Sequence, residues 1–162
     1  PVDDAMGVGG LPGRAGITEA LPLHGWLKAG GSMAHADPHM GMYGAEGARV
    51  GAVLDEAPGW SEPLHPNLPY RQGEVIWAVR REMARTVEDV LARRTRSLLL
   101  DARASRAVAP RVAALMAAEL GRDDTWVRRQ VEEFDALARS YLPAAESDTA
   151  KPRPAEVAAS PD

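Results

Sequence analysis

Between residues 45 and 141 the apolar positions recur three and four apart, and caps, glycines or prolines interrupt each stripe. Val2 to Met6 reads as the last turn of a helix, stopped by Gly7, Gly9 and Gly10. From Gly7 to about Met42 no period is sustained, and the Gly- and Pro-rich composition predicts a long irregular connection. A stretch of that length is unusual inside a compact domain and suits a segment draped over a neighbouring body.

Val50, Val53 and Leu54 then mark a short amphipathic helix over 45–56, stopped by Pro58. A Pro-rich turn region over 58–69 separates it from a second helix over 71–84, whose stripe is Val75, Ile76, Val79 and Met83. Thr86 is a good N-cap for a third helix. Its hydroxyl can accept from the Asp89 amide, Glu88 and Asp89 occupy the positive first turn, and Arg93 and Arg94 the last. Ser97 to Leu100 reads as a short apolar link, and Asp101 as the cap of the next helix. Pro110 either kinks that helix or begins another that reaches Gly121. Asp123 or Asp124 caps a last helix with Val127, Val131, Phe134, Ala138 and Tyr141 on one face. Arg128–Glu132, Arg129–Glu133 and Asp135–Arg139 are spaced i,i+4 on the other. The expected fold is therefore all-α, a small bundle of about four to five helices. An irregular connecting segment occupies 1–42, the helical domain 43–142 and a disordered tail 143–162.

Composition narrows the function more than the fold. Aromatic residues make up only 5% of the 162, so the core must be built from Ala, Val and Leu. A net charge of −4 argues against general nucleic-acid binding. The absence of cysteine excludes disulfides, thiol catalysis and Cys-ligated zinc, and is compatible with a reducing cytoplasmic setting. No apolar run approaches the roughly 20 residues that span a bilayer, and the first residues do not follow a basic-then-apolar pattern. The opening PVDDAM fits a fragment or processed product as well as removal of an initiator Met before Pro1.

Candidate chemistry is sparse. GVGGLPG at 7–13 follows a helical stub and leads into Pro12, whereas a phosphate-cradling loop follows a strand and opens a helix. His35, Asp37 and His39 form HxDxH near His24, but Pro38 breaks any helix that would align the imidazoles, so no metal site is expected. Arg80, Arg81, Arg85, Arg93, Arg94 and Arg96 are interleaved with Glu74, Glu82, Glu88 and Asp89, which points to a structural ion-pair network or a protein-docking surface. No Ser–His–Asp set or acid–base carboxylate pair emerges from the spacing. Trp26, Trp60, Trp77 and Trp126 are scattered.

VDDAMGVGGLP, LPLHGW at 21–26, MYGAEG at 42–47, EPLHPNLPY at 62–70 and EVIWAVRREMARTVEDVLARRTRSLLLDARA at 74–104 together resemble the C-terminal domain of FAD-dependent glycerol-3-phosphate dehydrogenases and alpha-glycerophosphate oxidases. The resemblance extends through VAALMAAELG to SYLP. It implies a helical cap domain on a large FAD-containing body that oxidises sn-glycerol 3-phosphate to dihydroxyacetone phosphate and passes electrons to a quinone or to oxygen. The family's flavin and substrate contacts precede Pro1, so no catalytic, cofactor-binding or metal residue carries over, and the chain alone is expected to be inactive and free of FAD. The expected partner is the missing FAD-binding body, with a cytoplasmic location and any peripheral membrane association only through the complete enzyme. Glu74, Glu82, Arg85, Thr86, Asp89, Arg93 and Arg94 are assigned to capping and ion pairing, and His24, Trp26, Tyr43 and Trp77 to contact with that body. Two departures stand out. Gly73 should weaken a helix start by up to ~1 kcal/mol relative to Ala, and SMAHADPHM at 32–40 diverges from the family's pattern. The alternative reading is a free-standing helical interaction module derived from that domain.

Overall fold

The computed structural model describes residues 2–12, 16, 18–23, 25–26 and 38–143. His24, His35, Asp37, most of SMAHADPHM and the tail from 144 onward lie outside the described residues. The chain divides into two compact units, 1–47 and 48–162. Among the described residues the structure is helical with no strand, and the one bridge-like pairing joins Pro63 to Arg71.

In the first unit, helix α1 spans Val2–Val8, one turn fraction longer than the stub expected from sequence. The glycines end it as anticipated: the Gly9 amide donates to Ala5 O at 2.9 Å, the Leu11 amide to Met6 O at 3.0 Å, and Gly10 turns left-handed at φ 61. The connection predicted to remain irregular up to Met42 instead forms a 3-10 helix over Pro38–Glu46, bent at Gly44. Gly44 has φ 55, and a Cβ there would overlap the Gly25 carbonyl oxygen, so the bend and the close approach both require glycine. The Ala45 amide donates to that same oxygen at 3.3 Å, which ties LPLHGW to MYGAEG.

The second unit is organised around a long helix. Helix α2, Gly47–Leu54, contributes Val50, Val53 and Leu54 to the core, as its spacing predicts. Helix α3, Gln72–Arg81, buries every residue from Gln72 to Val79. Its first amides would be orphans, but the preceding Pro-rich loop supplies acceptors. Gln72 N–H donates to Glu62 O at 3.0 Å and Gly73 N–H to Trp60 O at 2.8 Å. A one-turn π-helix follows over Asp89–Arg94, where an ordinary α-helix is expected from sequence. The Thr95 amide reaches back five residues to Val90 O at 2.9 Å, and its hydroxyl donates to the same carbonyl at 2.9 Å. Ser97–Leu100, expected as a link, is a short helix α4 entered through Arg96 in the left-handed conformation, φ 56.

Helix α5, Ala102–Leu120, packs against α3, α4, the π-turn and the last helix α6, Asp124–Arg139. Pro110 lies inside α5 without dividing it. The proline is exposed, so the carbonyl that loses its partner one turn back falls on the helix's outer side. Ala104, Ala109, Ala113 and Ala117 line the buried face beside Val108, Val112, Leu115 and Met116, so a core almost without aromatics closes by near approach of helices. Gly121 at φ 61 ends α5, with both its own amide and that of Arg122 donating to Ala117 O. On α6, Phe134 and Ala138 are buried, whereas Val127 and Val131 are only half-buried. Tyr141, read from sequence as inward, lies beyond the end of the helix and is exposed.

Candidate functional site

The arginine-rich stretch that dominates the sequence folds around the C-terminal end of α3. Its backbone turns sharply there: the amides of Glu82 and Ala84 both donate to Ala78 O, and Met83 between them adopts a left-handed φ of 58. The carbonyls left over at such an end need donors. Arg85 supplies them to Val79 O at 3.3 Å and Ala84 O at 3.2 Å, and Arg94 Nε donates to Glu82 O at 2.8 Å. Cations are also favoured there by the helix dipole. Arg94 Nε also lies 4.0 Å from Glu82 Oε2, a long ion pair of the kind expected, while Glu82 Oε1 accepts from the Trp77 indole at 3.0 Å.

The next turn is a reciprocal cap. Thr86 Oγ1 accepts from the Asp89 amide at 3.1 Å, while Asp89 Oδ2 accepts from the amides of Thr86 at 3.0 Å and Arg85 at 2.9 Å. Arg93 closes the group, with Nη1 on Asp89 Oδ1 and Nη2 on Glu88 Oε1, each at 2.6 Å. Burial of the Asp89 carboxyl works to raise its pKa, but the Arg85 amide, the Thr86 hydroxyl contact and amide, and the Arg93 guanidinium together hold it below the usual carboxylate range.

At the other end of α3, Glu74 is 1% exposed and its Oε1 accepts from the Arg71 amide at 2.7 Å. Burial raises the pKa of the neighbouring Tyr70 phenol; the Glu74 carboxylate adds to the rise and Arg96 opposes it. On the outer face, Arg80 bridges two helices and a loop. Its Nε and Nη2 reach Glu119 at 2.5 and 3.1 Å, Nη1 reaches Glu56 at 2.6 Å, and the guanidinium lies 5.6 Å from the Trp60 ring centroid.

The residues assigned to docking separate. Trp26 is 52% exposed. Tyr43 is half-buried and meets His39 edge-on, with ring centroids 6.5 Å apart. Trp77, by contrast, points inward at 5% exposure with its N–H bonded to Glu82, so it is a core residue and offers nothing to a partner. His24 is outside the described residues. Among the described residues no three His, Cys, Asp or Glu side chains could hold a metal, and no helix is long and apolar enough to cross a membrane. The Gly7–Gly10 run closes a helix rather than opening one, so these residues do not fit a dinucleotide.

Two polar residues escape the sequence reading. Gln130 is buried on α6 and accepts from the Val87 amide at 3.0 Å while donating to Glu133 at 2.7 Å. Gln72 Oε1 accepts from Arg111 Nη2 at 2.6 Å and Nε at 2.8 Å. Gln130 had a signal: it falls three residues after Val127, within the apolar stripe, where a polar side chain needs an internal partner.

Among the described residues the arginine-rich stretch thus forms a set of caps and ion pairs around the end of α3. The family description "C-terminal domain of alpha-glycerophosphate oxidase" matches residues 10–127. A "Probable glycerol-3-phosphate dehydrogenase, mitochondrial" of Caenorhabditis elegans is 42% identical over 79 residues, 49% of this chain and 10% of that protein. The chain thus spans about a tenth of the curated relative it matches, and no solved structure matches. With well over half of its length covered by that family, the chain belongs to the C-terminal domains of alpha-glycerophosphate oxidases.

Proposed function

We propose that this chain serves as the non-catalytic helical cap of an FAD-dependent glycerol-3-phosphate dehydrogenase, docked on a flavoprotein body that carries out the oxidation of glycerol 3-phosphate to dihydroxyacetone phosphate. The observation that carries the reading is how the basic groups are used. Arg80 and Arg93 are bound to carboxylates, and Arg85 and Arg94 to backbone carbonyls, so none of the four is poised for a substrate phosphate. FAD and substrate would be held by the preceding body, for which there is ample room in the matched relative, since the aligned 79 residues are only 10% of its length. Location in the cytoplasm, or at the inner face of a membrane through that body, is part of the same proposal.

The test is direct. The purified chain should show no flavin absorbance and no turnover of glycerol 3-phosphate with a dye acceptor. The reading frame upstream of Pro1, or a neighbouring frame, should encode a FAD-binding body. A yellow, active isolated chain would overturn the reading, and absence of any such body would favour a free-standing interaction module.

A further inference from the structure

Among the described residues of the second unit, Leu99 and Leu100 are the only consecutive large aliphatic residues that both face outward, at 65% and 62% exposure. Helix α4 is four residues long, entered through left-handed Arg96 and left through extended Asp101. Ser97 and Leu98 fill its inner side, and the two following leucines are directed away from the core. They form, with Tyr141 and Leu142, the apolar side of a groove of about 690 Å³ whose other side is polar, carrying Asn67, Asp101 and Arg103. Tyr141 is itself 51% exposed, so three side chains of that apolar side face water.

The groove is pre-formed. Asp101 caps α5 through Oδ1 on the Ala104 amide at 2.9 Å, and its Oδ2 lies 3.5 Å from Asn67 Nδ2 across the rim. Three side chains this exposed present on the order of a few hundred Å² of apolar surface, well under the roughly 800 Å² per partner of a stable free-standing interface. A second copy of the chain would therefore be held weakly. A partner on the same polypeptide needs far less area, because tethering supplies a high effective concentration. The tail beyond Pro143 is also tethered, but apart from alanines its only aliphatic side chain is Val157, which offers little to cover Leu99, Leu100 and Tyr141.

We propose that the Leu99–Leu100–Tyr141 groove is where an apolar segment of the enzyme's own flavoprotein body seats. This rests on the reading of the chain as an accessory domain. Its test compares hydrogen exchange of residues 97–104 in the 162-residue chain and in the polypeptide extended upstream to include the body. Exchange should slow at least tenfold in the extended polypeptide. The variant Leu99→Asp/Leu100→Asp should lose that slowing while the thermal midpoint of the 162-residue chain stays unchanged, since both side chains are already in water. Equal exchange in a flavin-loaded extended polypeptide would overturn the groove assignment and leave the accessory-domain reading intact. Absence of any upstream or separately encoded flavoprotein would overturn both. Concentration-dependent slowing in the isolated chain would assign the groove to a second copy, and faster exchange after truncation at Pro143 would assign it to the tail; either result overturns the proposal.

Discussion

A methyl group added at position 73 would sit 2.7 Å from Leu54 Cδ2 and 3.3 Å from both Leu54 Cα and Trp60 Cβ. The glycine that looks like a weakness by helix propensity is therefore the residue that lets α3 approach α2 and the following turn. Gly73→Ala should lower stability by about 1–2 kcal/mol in urea denaturation, because overpacking outweighs the propensity gain of up to ~1 kcal/mol. A stabilised variant would show that Leu54 yields freely. Thr86→Ala should cost about 1 kcal/mol through loss of the cap to the Asp89 amide, with Thr86→Ser recovering most of it. The carboxylates make a pH prediction with a definite sign. Burial opposes ionisation of Asp89, yet its amide, hydroxyl and Arg93 partners hold its pKa low; hydrogen bonding to Arg106 does the same for Asp135. A folded pKa below the unfolded value near 3.9 contributes stability above that value and loses it as pH falls through the folded one. The thermal midpoint should therefore decline below about pH 4. The decline should be shallower in Asp89→Asn/Asp135→Asn, and equal slopes would refute the assignment.

At the scale of elements, Gln130 joins α6 to the turn that starts the π-helix. Gln130→Leu would leave the buried Val87 amide without its acceptor, a cost of about 1–3 kcal/mol readable as a shift in denaturation midpoint. Val79→Asp should unfold the domain by placing a charge in the core face of α3; an unaltered thermal midpoint would refute that inward position. Most elements were legible beforehand because their determinants are local: Thr86, Asp101, Asp123 and Gly121 each act within one turn of their own position. The departures rest on contacts that a three-and-four spacing does not encode, two of them five residues apart and one nineteen. Trp77 points inward because Glu82 receives its indole N–H, the π-turn widens where Thr95 bonds Val90, and Pro38–Glu46 coils where Gly44 can lie against Gly25. Pairings between distant residues, such as Arg80 with Glu119 or Arg111 with Gln72, have no signature in a single stripe of sequence.

For the molecule as a whole, internal partners occupy many of the arginines among the described residues. Arg80, Arg85, Arg93, Arg94, Arg106, Arg111 and Arg139 all donate to carboxylate, amide or carbonyl oxygens of the same chain. The chain should consequently leave the fluorescence anisotropy of a labelled DNA duplex unchanged at physiological salt, where a basic nucleic-acid binder would raise it. The π-turn over Asp89–Arg94 has a further bearing on how this family tolerates change in length. A five-residue hydrogen-bonded loop is a four-residue one with a residue to spare. Removing Ala92 would let Asp89–Thr95 rewind as ordinary α-helix while Thr86 and Ser97 keep their places, so this turn is where a one-codon gap between relatives can arise without loss of the domain.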